Sequence, residues 1–212
     1  MNTAAILWIL GSYALGSVSF AHLIVRAKTG QNLRAVGSGN LGATNAGRIL
    51  GRNWALFIYV LDFAKGFAPA FVLEQAGTAL FEGEAWMPLS VPVAVAALLG
   101  HCFPIWHGFR GGKGAATGSG TVAAIAPLVF GCAMAIFALA VLVSRMISVG
   151  SMLAGLSLPV TWLILERRHA IDGDGGARLA FLLVLMALIL CMHRKNVERI
   201  VRGEEPRLGR KS

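Results

Sequence analysis

The strongest constraint in this sequence is a series of apolar stretches of membrane-spanning length. A spanning helix needs about 20 apolar residues to cover a hydrocarbon core of about 30 Å. Such stretches cover residues 3–25, 54–73, 87–105, 115–143, 149–165 and 177–192. Only 14% of the 212 residues are charged, whereas a soluble domain has about 25%. The sequence therefore predicts an all-α polytopic membrane protein, and excludes an ordinary soluble enzyme and a disordered chain.

One apolar stretch is too long for a single crossing. Residues 115–143 would form a straight helix of about 44 Å at about 1.5 Å per residue. Pro127 lies near the middle of this stretch, with several glycines around it. We therefore expect two short tilted helices hinged at Pro127. The prediction is seven short transmembrane helices in total.

The distribution of basic residues predicts the orientation. Fifteen of the 19 Lys and Arg residues lie in the loops 26–53, 106–118 and 144–151 and in the tail 193–212. The positive-inside rule puts these loops and the C-terminus in the cytoplasm and the N-terminus outside. Seven crossings agree with this arrangement, and six would place the basic tail on the outer side. We expect residues 1–212 to form one integral membrane domain.

The first cytoplasmic loop concentrates groups that bind anions. Residues 37–48 contain four glycines, two hydroxyls, two amides and one arginine. Small residues let backbone N–H groups point at one anion, and the guanidinium of Arg48 offers a two-pronged donor. An anion site explains this density of donors better than a flexible linker does. The candidate binding residues in this loop are Ser38, Gly39, Asn40, Thr44, Asn45 and Arg48.

The second cytoplasmic loop carries a glycine-rich segment with one lysine. It runs directly into an apolar helix, so Lys113 is expected near a helix N-terminus, where the helix dipole favours anions. The segment is not a Walker A loop, because His107 stands where a glycine is required and Gly114 where Ser or Thr is required. No third ligand accompanies the two histidines of this region, so no zinc site is expected. The candidate binding residues here are His101, Gly111, Gly112, Lys113 and Gly114.

The C-terminal tail forms the third candidate segment. His193, Asn196 and Ile200 fall at helical spacing on one face, while Arg194 and Lys195 point elsewhere. Two interpretations stay open: the first face closes over the anion pocket, or the basic stretch holds anionic lipid headgroups.

Two smaller features also have two interpretations each. Ser148 and Ser151 begin the sixth span on the cytoplasmic side and either donate to a ligand or cap the helix. Asp62 and Lys65 lie three residues apart inside the second span. Charges inside a membrane are often functional, but a pair at this spacing can also neutralise itself and orient the helix.

The three candidate segments resemble those of the bacterial acyl-phosphate:glycerol-3-phosphate acyltransferases, the PlsY family. The resemblance covers nearly the whole chain. It is carried by residues 37–45, by Gly100-His101 through Gly111-Gly112-Lys113-Gly114, and by His193-x-x-Asn196 with Gly203-Glu204. Leu41 occupies a position that is often Pro or Ile in the family.

The resemblance implies transfer of a fatty acyl group from acyl phosphate to the sn-1 hydroxyl of glycerol-3-phosphate, forming lysophosphatidic acid and phosphate. It implies that Ser38, Arg48 and Lys113 bind phosphate, that His193 and Asn196 complete the pocket, and that no metal or other cofactor is needed. The expected setting is the bacterial inner membrane with the site facing the cytoplasm. Membrane lipid is an expected partner and nucleic acid is not. Contact with the enzyme that produces acyl phosphate stays open.

Three classes of function are compatible with an anion site in a membrane protein. An acyltransferase uses the loops to bind two phosphorylated substrates, with direct attack by the glycerol hydroxyl. A transporter or channel for phosphate or a phosphorylated small molecule would explain the glycine-rich segments and the basic charge, but no inverted repeat is visible in the sequence. A scaffold protein leaves the anion loops unexplained. The sequence favours the first class.

Overall fold

The protein is described by a computed structural model that covers residues 3–80, 89–165 and 174–209, with side-chain surroundings left out for residues 76–80. Every regular element in these ranges is helical. The α-helices are α1 Thr3–Gly16, α2 Phe20–Thr29, α3 Ala43–Leu50, α4 Arg52–Leu80, α5 Ser90–Cys102, α6 Ala115–Ile125, α7 Pro127–Ser144, α8 Ile147–Leu165, α9 Asp174–Met192 and α10 Arg194–Val201. Short 3-10 turns cover Leu33–Ala35 and Ile105–His107. The predicted all-α membrane fold is confirmed.

Six segments of the described chain are long and apolar enough to cross a membrane, by length and composition. They are Thr3–Thr29, Arg52–Gln75, Ser90–His107, Pro127–Ser144, Ile147–Leu165 and Asp174–Met192. Helix α6 has 11 residues, which is about 16 Å and falls short of a full crossing. The count of seven crossings and the orientation of the termini therefore stay predictions.

The predicted helix break at Pro127 is confirmed. Helix α6 ends at Ile125, and Pro127 is the first residue of α7. The residue between them, Ala126, has a non-helical backbone (φ −149°, ψ 68°). Proline is tolerated at the first position of a helix because its missing N–H has no partner there. The 29-residue apolar stretch therefore forms two helices.

The first predicted span contains a break that its hydropathy does not indicate. Helix α1 ends at Gly16 and α2 begins at Phe20. The hydroxyl of Ser19 accepts a hydrogen bond of 3.3 Å from the amide of His22 and so caps α2. Serine competes for backbone hydrogen bonds and favours such caps over helix interiors. Residues 17–19 therefore interrupt the helix inside a segment that is long and apolar enough to cross a membrane.

The chain divides into two compact units, residues 1–125 and 126–212. In the first unit, glycines allow helices to approach very closely. A Cβ atom on Gly16 or Gly100 would lie 2.2 Å from a carbonyl oxygen of the facing helix in the α1–α5 pair. In the α4–α6 pair, a Cβ on Gly66 or Gly120 would lie 2.2 or 2.1 Å from such an oxygen. Small residues at crossings are typical of helix packing in membranes.

The second unit contains helices α7 to α10. Helix α9 contributes a buried face that includes Phe181, Leu182 and Leu185. Helix α8 approaches α7 at Gly150, where an added Cβ would lie 2.6 Å from a Val141 methyl carbon. Leucines on the opposite surface of α7 are exposed, as expected for a helix in contact with lipid tails.

The predicted Asp62–Lys65 pair forms inside the first unit. Lys65 Nζ lies 2.8 Å from Asp62 Oδ1, and both side chains are almost fully buried, with 2% and 1% exposed. The ammonium also donates a 2.7 Å hydrogen bond to the carbonyl of Val18, in the break between α1 and α2. A buried charge needs such partners to be tolerated. These contacts support the interpretation that the pair orients α4, because they attach it to the broken first span.

Candidate anion-binding site

Asn45 organises the first loop. Its buried Nδ2 donates to the carbonyls of Leu33, Val36 and Asn40 at 3.3, 3.0 and 3.1 Å. Its Oδ1 accepts a 2.8 Å bond from the backbone amide of Ser38. One amide side chain thus fixes the path of the loop on both sides of the Ser38 turn. Asn45 therefore shapes the loop through backbone contacts.

Helix α3 begins immediately after this turn. Its N-cap is Gly42, and no described side chain caps the helix. The first backbone amides of a helix carry partial positive charge and favour an anion. Ser38, Thr44 and Arg48 are exposed on this loop and helix. The segment therefore presents a helix start, two hydroxyls and a guanidinium outside the hydrophobic core.

The second loop lies directly on the end of α5. The amides of Gly111 and Gly112 donate to the carbonyls of Cys102 and His101 at 2.9 and 3.0 Å. A Cβ on Gly112 would lie 2.0 Å from His101 Nε2, so only glycine fits there. Helix α6 begins at Ala115, which confirms that Lys113 precedes a helix N-terminus. The lysine side chain is half-buried.

His101 belongs to the floor beneath this loop. Its ring is buried, and Nδ1 lies 3.7 Å from Asp62 Oδ1. A small crevice is lined by Leu41 of the first loop, by Gly111 and Gly112 of the second loop, and by the buried Lys65 and His101. The two loops thus border the same crevice. The predicted contact of His101 with phosphate is not tested by this geometry and stays a prediction.

Arg34 connects the two loops directly. Its Nη2 donates a 2.6 Å hydrogen bond to the carbonyl of His107 and a second bond to the carbonyl of Arg110. In the sequence, Arg34 is only one of the basic residues of the loop 26–53. Because the contact joins residues 73 positions apart, no local pattern could have indicated it.

In the second unit, the tail residues are arranged as their spacing predicts. His193 and Asn196 are buried at the start of α10, while Arg194 and Lys195 are exposed. His193 Nδ1 lies 2.8 Å from the carbonyl oxygen of Ile189. A neutral ring that donates from Nδ1 has its acceptor at Nε2.

A buried carboxylate that the sequence analysis missed holds these groups. Glu205 accepts hydrogen bonds from Ser148 Oγ (2.6 Å) and Asn196 Nδ2 (2.7 Å), both on Oε1. Its Oε2 accepts a 2.7 Å bond from Arg199 Nε. Burial alone would raise the pKa of Glu205, but these three hydrogen bonds and the charge of Arg199 hold its pKa below the ordinary value. The ionised carboxylate of Glu205 therefore connects the start of α8 to α10 through hydrogen bonds.

The two serines of α8 differ in their partners. Ser148 donates to Glu205, and Ser151 Oγ donates a 3.0 Å bond to the carbonyl of Ile147 within its own helix. Their predicted contact with a ligand stays a prediction. Within residues 3–80, 89–165 and 174–209, no group of three or more His, Cys, Asp or Glu side chains could hold a metal ion.

The helices and the two glycine-rich loops define an integral membrane protein with a candidate phosphate-binding site. Residues 6–203 match the family described as glycerol-3-phosphate acyltransferase. A glycerol-3-phosphate acyltransferase of Thioalkalivibrio sulfidiphilus is 40% identical over 207 residues, covering 96% of this chain and 94% of the relative. One from Shouchella clausii is 38% identical, covering 100% and 99%.

Solved structures give the same result. The crystal structure of PlsY, an integral membrane glycerol 3-phosphate acyltransferase, in its glycerol 3-phosphate form has a TM-score of 0.84 at 34% identity, covering 97% of this chain and 96% of that chain. Its lysophosphatidic acid form has a TM-score of 0.80 at 32% identity, with the same coverage. The chain belongs to the glycerol-3-phosphate acyltransferase (PlsY) family. The family predicted from the sequence motifs is confirmed.

Proposed function

We propose that the protein transfers a fatty acyl group from acyl phosphate to the sn-1 hydroxyl of glycerol-3-phosphate. The products are lysophosphatidic acid and inorganic phosphate. The observation that carries the proposal is the direct connection between two glycine-rich loops, one with exposed Ser38 and Arg48 and one with Lys113. The similar PlsY structures in glycerol 3-phosphate and lysophosphatidic acid forms supply the acceptor and the product.

Both proposed substrates carry a phosphate, which explains why one site needs several cationic and N–H donors. Ser38, the start of α3 and Arg48 bind phosphate on one loop, and Lys113 binds it on the other. His193 and Asn196 are proposed as further phosphate-binding groups, as the family resemblance implies. Gly39, Asn40, Thr44, Gly111 and Gly114 shape the two loops around the bound groups.

The proposed chemistry is a single displacement. The sn-1 oxygen of glycerol-3-phosphate attacks the acyl carbon, a new C–O bond forms, and the bond from that carbon to the phosphate oxygen breaks. Cationic groups stabilise the phosphate as it leaves with the electron pair. The proton of the hydroxyl passes to a phosphate oxygen or to His193 Nε2, the two candidate acceptors. The step needs no acyl-enzyme intermediate, and binding both substrates close together supplies much of the rate enhancement.

The proposed location is the bacterial inner membrane, with both loops facing the cytoplasm. The concentration of basic residues in these loops supports that orientation. Acyl phosphate carries a long apolar chain, so it reaches the site from the lipid phase. Whether the enzyme that makes acyl phosphate docks on this protein is a separate question for binding experiments.

The test is an assay with purified protein in detergent, supplied with acyl phosphate and glycerol-3-phosphate. We expect lysophosphatidic acid and phosphate in equal amounts. Turnover without a sealed vesicle excludes a transporter as the explanation of the anion loops. No turnover by a folded protein would contradict the proposal. Transfer from acyl-CoA and not from acyl phosphate would show that the proposed acyl donor is wrong. Accumulation of acylated protein would contradict direct attack.

A further inference from the structure

Arg34 lies outside the residues that the family motifs account for, yet it connects both loops. It is the central residue of the 3-10 turn Leu33–Ala35, just before the first loop. Its guanidinium extends to the second loop and donates from Nη2 to the carbonyls of His107 and Arg110. Charge-assisted hydrogen bonds of this kind are about twice as strong as neutral ones.

The backbone around Arg34 is held firmly. Its amide donates a 3.1 Å hydrogen bond to Asn32 Oδ1. The preceding residue, Leu33, is fully buried, and its carbonyl accepts from Asn45. The carbonyl of Arg34 packs so closely on the first loop that a Cβ on Gly39 would lie 3.1 Å away. The guanidinium is therefore attached to a fixed part of the first loop.

The segment that it contacts has a strained backbone. Gly108 and Phe109 both have φ of 58°, in the left-handed region that Phe rarely adopts. Such conformations persist only where neighbouring contacts compensate for them. The Phe109 amide is bonded to the carbonyl of Pro104 at 3.0 Å, and Arg34 binds the carbonyls on either side of the turn. Arg34 therefore helps to hold this turn in its strained form.

The consequence concerns Lys113, which follows the strained turn by only a few residues. We propose that Arg34 is a positioning residue that fixes the second loop against the first and so holds Lys113 at the phosphate site. The inference rests on the proposed function for its effect on catalysis. Both bonds come from the single Nη2 nitrogen of Arg34, whose two hydrogens are fixed in the guanidinium plane, whereas the ammonium of lysine is a compact point charge on a flexible stem.

The first test measures loop order without using activity. Hydrogen exchange of the backbone amides in residues 107–113 is compared between wild type, Arg34→Ala and Arg34→Lys in detergent. We expect exchange about tenfold faster in Arg34→Ala, because two carbonyl contacts are lost, and an intermediate rate in Arg34→Lys. Arg52→Ala removes an exposed arginine at the start of α4 and serves as the matched control, with unchanged exchange. Unchanged exchange in both Arg34 variants would overturn the proposal, whether or not the protein transfers acyl groups.

The second test separates positioning from general stability. Misplacement of a catalytic group by about 1 Å costs about 10²-fold in rate, so kcat should fall by about that factor in Arg34→Ala. We expect guanidinium ion, and not ammonium ion, to restore part of both kcat and exchange protection. If Arg34→Ala does not fold, the kcat and the amide exchange rates of Arg34→Lys are compared with those of wild type instead. Normal kcat in the folded Arg34 variants would overturn the catalytic part of the proposal, whereas an inactive wild type would overturn only the proposed function.

Discussion

Each compact unit contains a cluster of candidate polar site residues, and the two clusters differ in exposure. In residues 1–125, Ser38 and Arg48 are exposed beside a helix start that no described side chain caps. In residues 126–212, Asn196 and Ser148 are buried and donate to the carboxylate of Glu205. Exposed donors are suited to exchanging water for a ligand, whereas buried and paired groups are suited to holding a backbone in place. We therefore expect Ser38 and Arg48 to contact phosphate directly, and Asn196, which is also proposed to bind phosphate, to be oriented by its bond to Glu205.

The largest effect is expected from removing a cation of the first unit. Lys113→Ala or Arg48→Ala should reduce kcat/KM by at least about 10²-fold, because each removes a charge that we propose stabilises the leaving phosphate. The thermal unfolding temperature should change little, since Arg48 is exposed and Lys113 is half-buried. The assay is lysophosphatidic acid production, with Arg52→Ala as the control. Near-normal rates in either variant would remove that residue from the site.

Removing the buried carboxylate should mainly affect stability. Glu205→Ala leaves the Ser148 and Asn196 donors without this acceptor, which costs about 1–3 kcal/mol. Glu204→Ala is the matched control, because Glu204 is the neighbouring acidic residue and is exposed. Thermal unfolding in detergent measures both variants. Equal unfolding temperatures for Glu205→Ala and wild type would show that the buried network contributes nothing to stability.

Adding one methyl group at Gly112 tests how tightly the second loop packs on the end of α5. In Gly112→Ala the added Cβ would overlap with the His101 ring, so the loop or the buried ring must shift and we expect about a tenfold loss of kcat. Gly131→Ala in helix α7 is the control, since nothing lies within 4 Å of a Cβ added at Gly131. The control should be neutral or slightly stabilising, by about 1 kcal/mol or less. Full activity in Gly112→Ala would show that the loop tolerates displacement.

The smallest effect is a dependence of stability on pH. The pKa of Glu205 in the folded protein is below its ordinary value. At a given acidic pH, the folded state therefore binds fewer protons at this carboxyl than the unfolded state does. Its stabilising contribution is complete above the ordinary glutamate pKa of about 4.3 and is lost as pH falls through the lowered folded value. Unfolding temperatures measured between about pH 3 and 7 should show this loss in wild type and less of it in Glu205→Ala. The same acid sensitivity in both proteins would assign it to other carboxyl groups.

Features that depend on local chemistry could be predicted from the sequence. The break at Pro127, the helix start after Lys113 and the buried face of His193 and Asn196 each follow from residue spacing or from proline geometry. The Asp62–Lys65 pair follows from spacing within one helix.

Features that depend on distant contacts could not be predicted. Ser148 and Glu205 are 57 residues apart, and Arg34 and His107 are 73 apart. The sequence indicates only that Arg34 is one of several basic loop residues and that Glu205 lies in the polar tail, because one sequence carries no signal of which distant groups meet. The break before α2 was missed for a related reason, since hydropathy does not register the capping role of Ser19.

The most direct test of the central claim is a crystal structure with glycerol-3-phosphate bound. We expect one phosphate with its oxygens within about 3 Å of both a Ser38 donor and Lys113 Nζ. Such a result would establish that the two loops of the first unit form a single phosphate site. A phosphate bound elsewhere, or held by one of these loops while the other contacts nothing, would contradict the account.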